Sequence, residues 1–317
     1  MRANTLDAKL LEIDGQSASG GSNPNLFING QFDIWQRATS ATAATYCCAD
    51  RWIFYDGSDG AATVSRQTFS PGQTDVPKNP KYYAQYQMTT QATSGSPGIH
   101  QRIENVITVH GEQLTFSFYA KLASGTLVLT PQVRQDFGNA GSSAVVTNYT
   151  SQTITVTSTW AKYIITLDVP SISGKTISGN DDYVQVGFDI PLSSGTFTMS
   201  LANMKAEKGS VATPFISRSY GEELALCQRY FWKGTAANSV NYRYAGGANT
   251  IYEAGTISFP VQLRANPTTA VENTPTYANC SSVVLVSDTY GLALRVTTSA
   301  ANAYRAYSGI YSADAEL

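Results

Sequence analysis

Charge is scarce in this chain. Only 14% of its 317 residues are Asp, Glu, Lys or Arg, against about 25% in an ordinary globular protein. The 21 basic and 23 acidic side chains nearly cancel, for a net charge of −2. A phosphate-binding surface needs a basic excess, so nucleic acid is not expected as a partner. Histidine is scarcer still, with only His100 and His110. One chain therefore cannot build a three-histidine zinc centre, and a Ser-His-Asp hydrolase has few candidates. No apolar run reaches the ~18 residues of a membrane span. The first 30 residues lack the basic-then-apolar order of a signal peptide. Neither membrane insertion nor export by that route is expected. The four cysteines, Cys47, Cys48, Cys227 and Cys280, fit no zinc spacing. Adjacent Cys47 and Cys48 cannot bridge without strain, and all four read as reduced, small apolar residues.

What is abundant is β-forming and turn-forming. Tyrosine occurs 19 times, glycine 25 times and proline 12 times, with long Thr, Ser, Ala and Val stretches between. The length suggests about two compact units. From Asn25 to about Phe215, short segments alternate polar and apolar residues: Thr115–Ala120, Thr153–Thr157, Tyr163–Leu167, Val184–Phe188 and Phe197–Leu201, with apolar Leu127–Leu129 among them. This pattern predicts an all-β fold: an antiparallel β-sandwich jelly roll over 25–215. A short connecting helix is expected over 216–231. A second β-rich C-terminal domain follows over 232–317, with strands at Gly255–Val261, Val283–Val286, Leu292–Val296 and Tyr304–Tyr311. Pro260 demotes part of the first of these to an edge or bulge.

Ser219 and Glu222 have capping-box spacing, so the helix is placed at 219–231. Leu224, Cys227 and Phe231 form one stripe along it. So short a helix must pack on something. The partner is either a neighbouring domain or the same helix from other copies around a trimer axis. Residues 1–24 stand apart. Leu6, Leu10, Leu11 and Ile13 precede the Gly/Ser-rich linker Asp14–Asn23. They read either as a frayed terminus or as an arm that docks on a partner.

The segment Asn25–Arg37, followed by Ala49-Asp50-Arg51-Trp52, resembles the opening of a jelly-roll module found in phage tail-fibre and virion-decoration proteins. It is also similar to the opening of carbohydrate-binding modules. Met204–Phe215 resembles the closing strand of that module, and Glu222–Phe231 the helix that follows it. Phe259–Thr268 and Ser308–Leu317 resemble the terminal domain of such fibres. The resemblance implies a virion surface protein made in the host cytoplasm: a short fibre, head spike, collar or decoration protein. It implies a homotrimer that is held to other virion proteins by the N-terminal arm and binds host surface polysaccharide. Related jelly rolls often hold a structural calcium with a carboxylate at the position of Asp33; Asn203 and Glu207 are imperfect further ligands. No other cofactor is expected.

Sugar rings stack on aromatics. Trp35, Trp52 and Trp160 read as scaffold, with Trp160 packed between sheets. The C-terminal domain offers Trp232, Tyr242, Tyr244 and Tyr252 as a glycan platform; core or interface packing is the alternative. Asp181-Asp182 and Glu222-Glu223 lie in a turn and a helix start, where carboxylates usually cap or meet solvent. No nucleophile–base signature is present, so no enzyme is expected. The function reads as non-enzymatic glycan binding at a virion surface. The alternatives are a purely structural decoration protein and a polysaccharide depolymerase.

Overall fold

The computed structural model describes residues 23–43, 45–236, 242–243, 251–272, 280–299, 304–305 and 309–317. The expected docking residues Leu6, Leu10, Leu11 and Ile13 lie outside these, as does Tyr244. Twelve strands come first: β1 (Ser40–Thr42), β2 (Trp52–Tyr55), β3 (Ala61–Thr68), β4 (Tyr82–Thr90), β5 (Gly98–Glu104), β6 (Gln113–Leu122), β7 (Leu127–Asp136), β8 (Val145–Asn148), β9 (Ile154–Val156), β10 (Ala161–Asp168), β11 (Tyr183–Asp189) and β12 (Phe197–Lys208). They form two antiparallel sheets, β1-β3-β4-β12-β6-β10 and β2-β5-β11-β7-β8, with β9 pairing to β7. This is the β-sandwich jelly roll that the alternation predicts.

Alternation explains how the sheets face each other. Along β6, Leu114, Phe116, Phe118, Ala120 and Leu122 are buried, and along β11, Val184, Val186 and Phe188. Phe188 stacks on Phe116 with centroids 4.6 Å apart and meets Phe118 at 4.7 Å, so these rings join the two sheets. Removing one such ring typically costs about 3–5 kcal/mol.

The Asn25–Arg37 segment closes one end of this core. The Asn25 amide donates to the Met204 carbonyl (2.9 Å), and its Oδ1 accepts from the Phe27 and Ala206 amides. Asn29, in the left-handed region at φ 59, donates to the carbonyls of Ile34 and Asp50. Trp52 Nε1 donates to the Asn29 carbonyl at 2.9 Å, and Trp35 Nε1 to that of Phe32 at 2.6 Å. Both indoles are scaffold. Trp160 differs from expectation. It precedes β10, where Ala161 pairs with Ala120, so its neighbour across the ladder is Lys121 on the outer face. The ring is half-buried there against Phe69 and Tyr83, not between the sheets.

The helix α1 spans Tyr220–Gln228, with Ser219 and Glu222 completing the capping box. It stops three residues before the expected end because Phe231 leaves it to begin β13 (Phe231–Ala236). Cys227 and Phe231 are buried within this one chain and Leu224 is half-buried. Two of the three stripe residues are thus covered within this chain. Glu223 anchors the helix to the sandwich. It accepts from the Asn29 amide at 2.5 Å and pairs with Arg218 at 3.1 Å.

Seven further strands follow: β14 (Tyr242–Arg243), β15 (Ile251–Ser258), β16 (Thr268–Val271), β17 (Cys280–Ser287), β18 (Gly291–Thr298), β19 (Tyr304–Arg305) and β20 (Gly309–Asp314). They form the small sheets β13-β20-β16, β14-β19 and β15-β18-β17. β15 ends two residues before Pro260. A second apolar cluster gathers Trp232, Phe259, Leu263, Leu292, Leu294 and Tyr311. Cys48 and Cys227 are buried, Cys47 is half-buried, and none of the three is in a disulfide. Among the described residues, no helix is long and apolar enough to cross a membrane.

Candidate functional site

Strand register builds one polar face on the sheet β2-β5-β11-β7-β8. His100 pairs with Gly187, and Gly187 with Gln132, which pairs with Asn148. Arg102 pairs with Gln185, and Gln185 with Arg134. Tyr55 pairs with Gly98, and Gly98 with Asp189. Residues directly opposite each other share a face, so these rows lie side by side on the outside of the sandwich. They line a cleft of about 440 Å³, within the usual range of roughly 300–1,000 Å³ for ligand sites.

Two glycines shape its floor. A Cβ on Gly187 would come within 2.7 Å of His100 Cδ2, and one on Gly98 within 2.6 Å of His100 Cε1. The imidazole thus lies flat in a niche that only glycine permits at both positions. His100 Nε2 is 3.3 Å from Asp189 Oδ1 but not aligned for a hydrogen bond, so both ring nitrogens and that oxygen are buried without a partner. Arg134 Nε is also buried and unpartnered, although its Nη2 holds Asp136 at 2.8 Å. Gln132 donates to Asn148 at 3.0 Å and to Asp189 Oδ2 at 2.5 Å. Arg102 donates to Gln185 at 3.2 Å and lies 4.5 Å over the Tyr183 ring. The cleft thus combines fixed amides and guanidinium groups with unsatisfied donors and acceptors.

The sites expected from sequence lie elsewhere. Trp232 is buried, with its ring 5.3 Å from Phe259. Its indole folds over Gly234, where a Cβ would meet Trp232 Cζ2 at 2.1 Å. It belongs to the second apolar cluster. Tyr242 falls in β14 and Tyr252 in β15; their side chains, like Tyr244, are outside what the structure describes.

Among the described residues, Asp33 is not part of an acidic cluster. Calcium takes about six to eight oxygens, and among the described residues no group of three or more His, Cys, Asp or Glu side chains converges. Glu207 already neutralises the buried Lys205 ammonium at 3.1 Å, and Lys205 also reaches the Thr213 hydroxyl at 2.6 Å and the Pro214 carbonyl at 3.1 Å. Burial and the nearby Glu223 carboxylate push Asp33 up to about 6, with Lys81 opposing them. Between the ordinary 3.8 and about 6, the folded chain keeps a proton that the unfolded chain releases. Stability therefore falls as pH rises through that window. Asp33→Asn is expected to remove this fall and raise the urea midpoint at neutral pH relative to its value in acid. A lower midpoint at neutral pH would show that the ionised carboxylate is needed.

No protein-family model and no curated protein sequence matches this chain. Solved structures do resemble it. A CBM22-1 xylan-binding domain from Paenibacillus barcinonensis Xyn10C aligns at 16% identity over 60% of this chain and 98% of its own, with a TM-score of 0.37. A family 11 carbohydrate-binding module from Clostridium thermocellum aligns at 16% identity over 54% and 96%, with a TM-score of 0.34. The enzymatically active domain of tailspike protein 4 from bacteriophage CBA120 aligns at 15% identity over 58% of this chain, with a TM-score of 0.32. This chain spans 21% of that tailspike's length. The likeness is one of fold.

The residues that make the cleft escaped the sequence reading, which sought aromatic rings. Their signal was a different one: long polar side chains two apart, as in His100/Arg102 and Gln132/Arg134, with Gln185 and Asp189 four apart on the same face.

Proposed function

We propose that this protein is a non-enzymatic glycan-binding protein of a phage-like virion surface, and that it holds host polysaccharide in the cleft between Tyr55, His100, Arg134 and Asp189. One observation carries the reading. Among the described residues, nine buried side-chain atoms lack a partner, and four of them belong to His100, Arg134 and Asp189. They include both donors and acceptors. A sugar hydroxyl donates and accepts, so a polyol can satisfy both kinds at once. The amides of Gln132, Gln185 and Asn148 extend the array, while Tyr55 and Val146 offer apolar surface to ring C–H groups.

Binding without cleavage fits the acid inventory. Glycoside hydrolysis uses two carboxyl groups about 5–9.5 Å apart, whereas Asp189 is the one carboxylate among the described lining residues. Attachment through residues 1–24 and assembly as a trimer belong to this proposal and rest on the sequence resemblance. Three linked sites would turn weak single-site affinity into firm adhesion by avidity.

The test is to incubate the purified chain with a glycan array and with host polysaccharide, then assay for released sugar. Binding without release is expected. Release would make the protein a depolymerase. A chain that neither binds nor releases any glycan would overturn the proposal and leave a decoration role.

A further inference from the structure

We infer that the opposite sheet carries a second ligand site, one that takes a carboxylate-bearing sugar such as a hexuronate. The site is a cleft of about 230 Å³, below the roughly 300–1,000 Å³ of drug-sized pockets and suited to a single ring. It is separate from the cleft described above and does not depend on it.

Asn203 lines this pocket at a bulge in β12, where the register with β6 shifts between Ala202 and Lys205. The residue is only 3% exposed. Nδ2 donates to the Pro77 carbonyl at 3.1 Å, but Oδ1 is buried with no partner. A buried acceptor left unpaired is costly, and here it lines a cavity that a ligand can enter. Backbone strain gathers at the same place. Asn203 (φ 48), Lys78 (φ 70) and Asn79 (φ 46) all lie in the left-handed region. Such strain persists where the surroundings hold it, often at ligand sites.

The walls define the ligand. Lys162 pairs across the ladder with Tyr119, and Lys78 closes the pocket from the turn before β4. Both ammonium groups are on exposed residues, and none of the described lining residues is acidic. Two cations call for an anion, the orphan Oδ1 calls for a hydroxyl, and the Tyr119 and Phe215 rings offer apolar faces. A uronate ring supplies all three: a carboxylate, hydroxyl donors and a C–H face.

The surface continues in a form suited to neighbouring units. Lys121, two residues along β6 on the same face as Tyr119, lies 5.3 Å over the Trp160 ring. Trp160 meets Phe69 at 5.4 Å and Tyr83 at 5.6 Å, forming a half-buried aromatic ridge. Small Ser200 and Ala202 on β12 leave room for these rings to meet across the sheet. Successive sugars of an acidic polysaccharide would run from the pocket onto this ridge.

The test is calorimetric titration of the full chain with trigalacturonate, with a neutral galactose oligomer and with acetate. Trigalacturonate is expected to bind in a salt-sensitive way, and the other two are not. Lys162→Glu and Lys78→Glu, both at exposed positions, are each expected to weaken it about tenfold or more. Arg134→Ala, in the other cleft, should leave it unchanged. Unaltered affinity in both lysine variants would overturn the inference. So would loss in Arg134→Ala alone, equal binding of acetate, or no uronate binding by the wild-type chain.

Discussion

Replacing Glu316 with alanine is expected to destabilise the folded chain by about 3–5 kcal/mol. Its carboxylate pairs with the Arg51 guanidinium, and the two side chains are only 5% and 1% exposed. Arg51 also lies 3.4 Å over the Tyr230 ring and donates to the Arg102 carbonyl at 2.6 Å. Every contact that holds this cation is therefore internal, and Glu316 is its charged partner. Truncating the carboxylate leaves a buried guanidinium without an anion, and water cannot reach it to compensate. The same segment is clamped further by Arg37 on Asp314 at 3.0 Å and by Arg264 on the Ala315 carbonyl at 3.0 Å. The pair thus joins the first sandwich to the strand exit after β20. The contrast within the molecule is Lys208–Glu112, an ion pair at 3.3 Å with both side chains about half exposed. Exposed pairs contribute about 0–1 kcal/mol, so Glu112→Ala should change little. Urea unfolding followed by tryptophan fluorescence separates the two cases. A large midpoint shift for Glu316→Ala and a small one for Glu112→Ala is expected; equal shifts would refute the argument.

Most of the sandwich was legible because burial imposes a period of two on the sequence. Thr115–Ala120 and Val184–Phe188 alternate cleanly, and they became the facing strands β6 and β11. β3 and β4 were not legible in the same way. Their outward positions carry Thr, Gln and Tyr and their inward ones Ala, Val and Tyr, as at Ala62, Val64 and Tyr86, so the contrast between faces is weak. The helix cap was legible because Ser219 and Glu222 act over three residues. The end of the helix was not, because Phe231 is drawn into β13 by pairing with Asp314, far along the chain. The cleft depends on such distant pairings. His100, Gly187 and Gln132 form one row only once β5, β11 and β7 are in register. A sequence shows each as an isolated polar or small residue. The surroundings of Trp232 and Trp160 were not legible for a related reason. Whether Trp232 faces a sugar or a core is decided by Gly234 and Phe259, and whether Trp160 faces inward is decided by the register with β6.

Arg134→Ala is expected to weaken glycan binding by about 10- to 100-fold while barely moving the unfolding midpoint. The two effects separate because the side chain does two different things. Its Nη2 pairs with Asp136 at 2.8 Å, and the side chains are 39% and 22% exposed. A pair so wet contributes about 0–1 kcal/mol to folding. Its Nε is buried against the cleft and unpartnered, so in the free protein it contributes nothing that truncation could remove. In the complex this donor meets a sugar hydroxyl. A hydrogen bond to a charged group is worth about 1.5–3 kcal/mol, which is about one to two decades of affinity. Lys at this position keeps the charge but not the fixed planar donor that points into the cleft. Arg134→Lys should therefore recover little of the loss. Calorimetric titration with the glycan found on the array, run beside urea unfolding, tests both halves. If the alanine variant binds as tightly as the wild-type chain, the sugar does not use this row. If it unfolds several kcal/mol earlier, Arg134 belongs to the scaffold and the cleft must be argued from His100 and Asp189 alone.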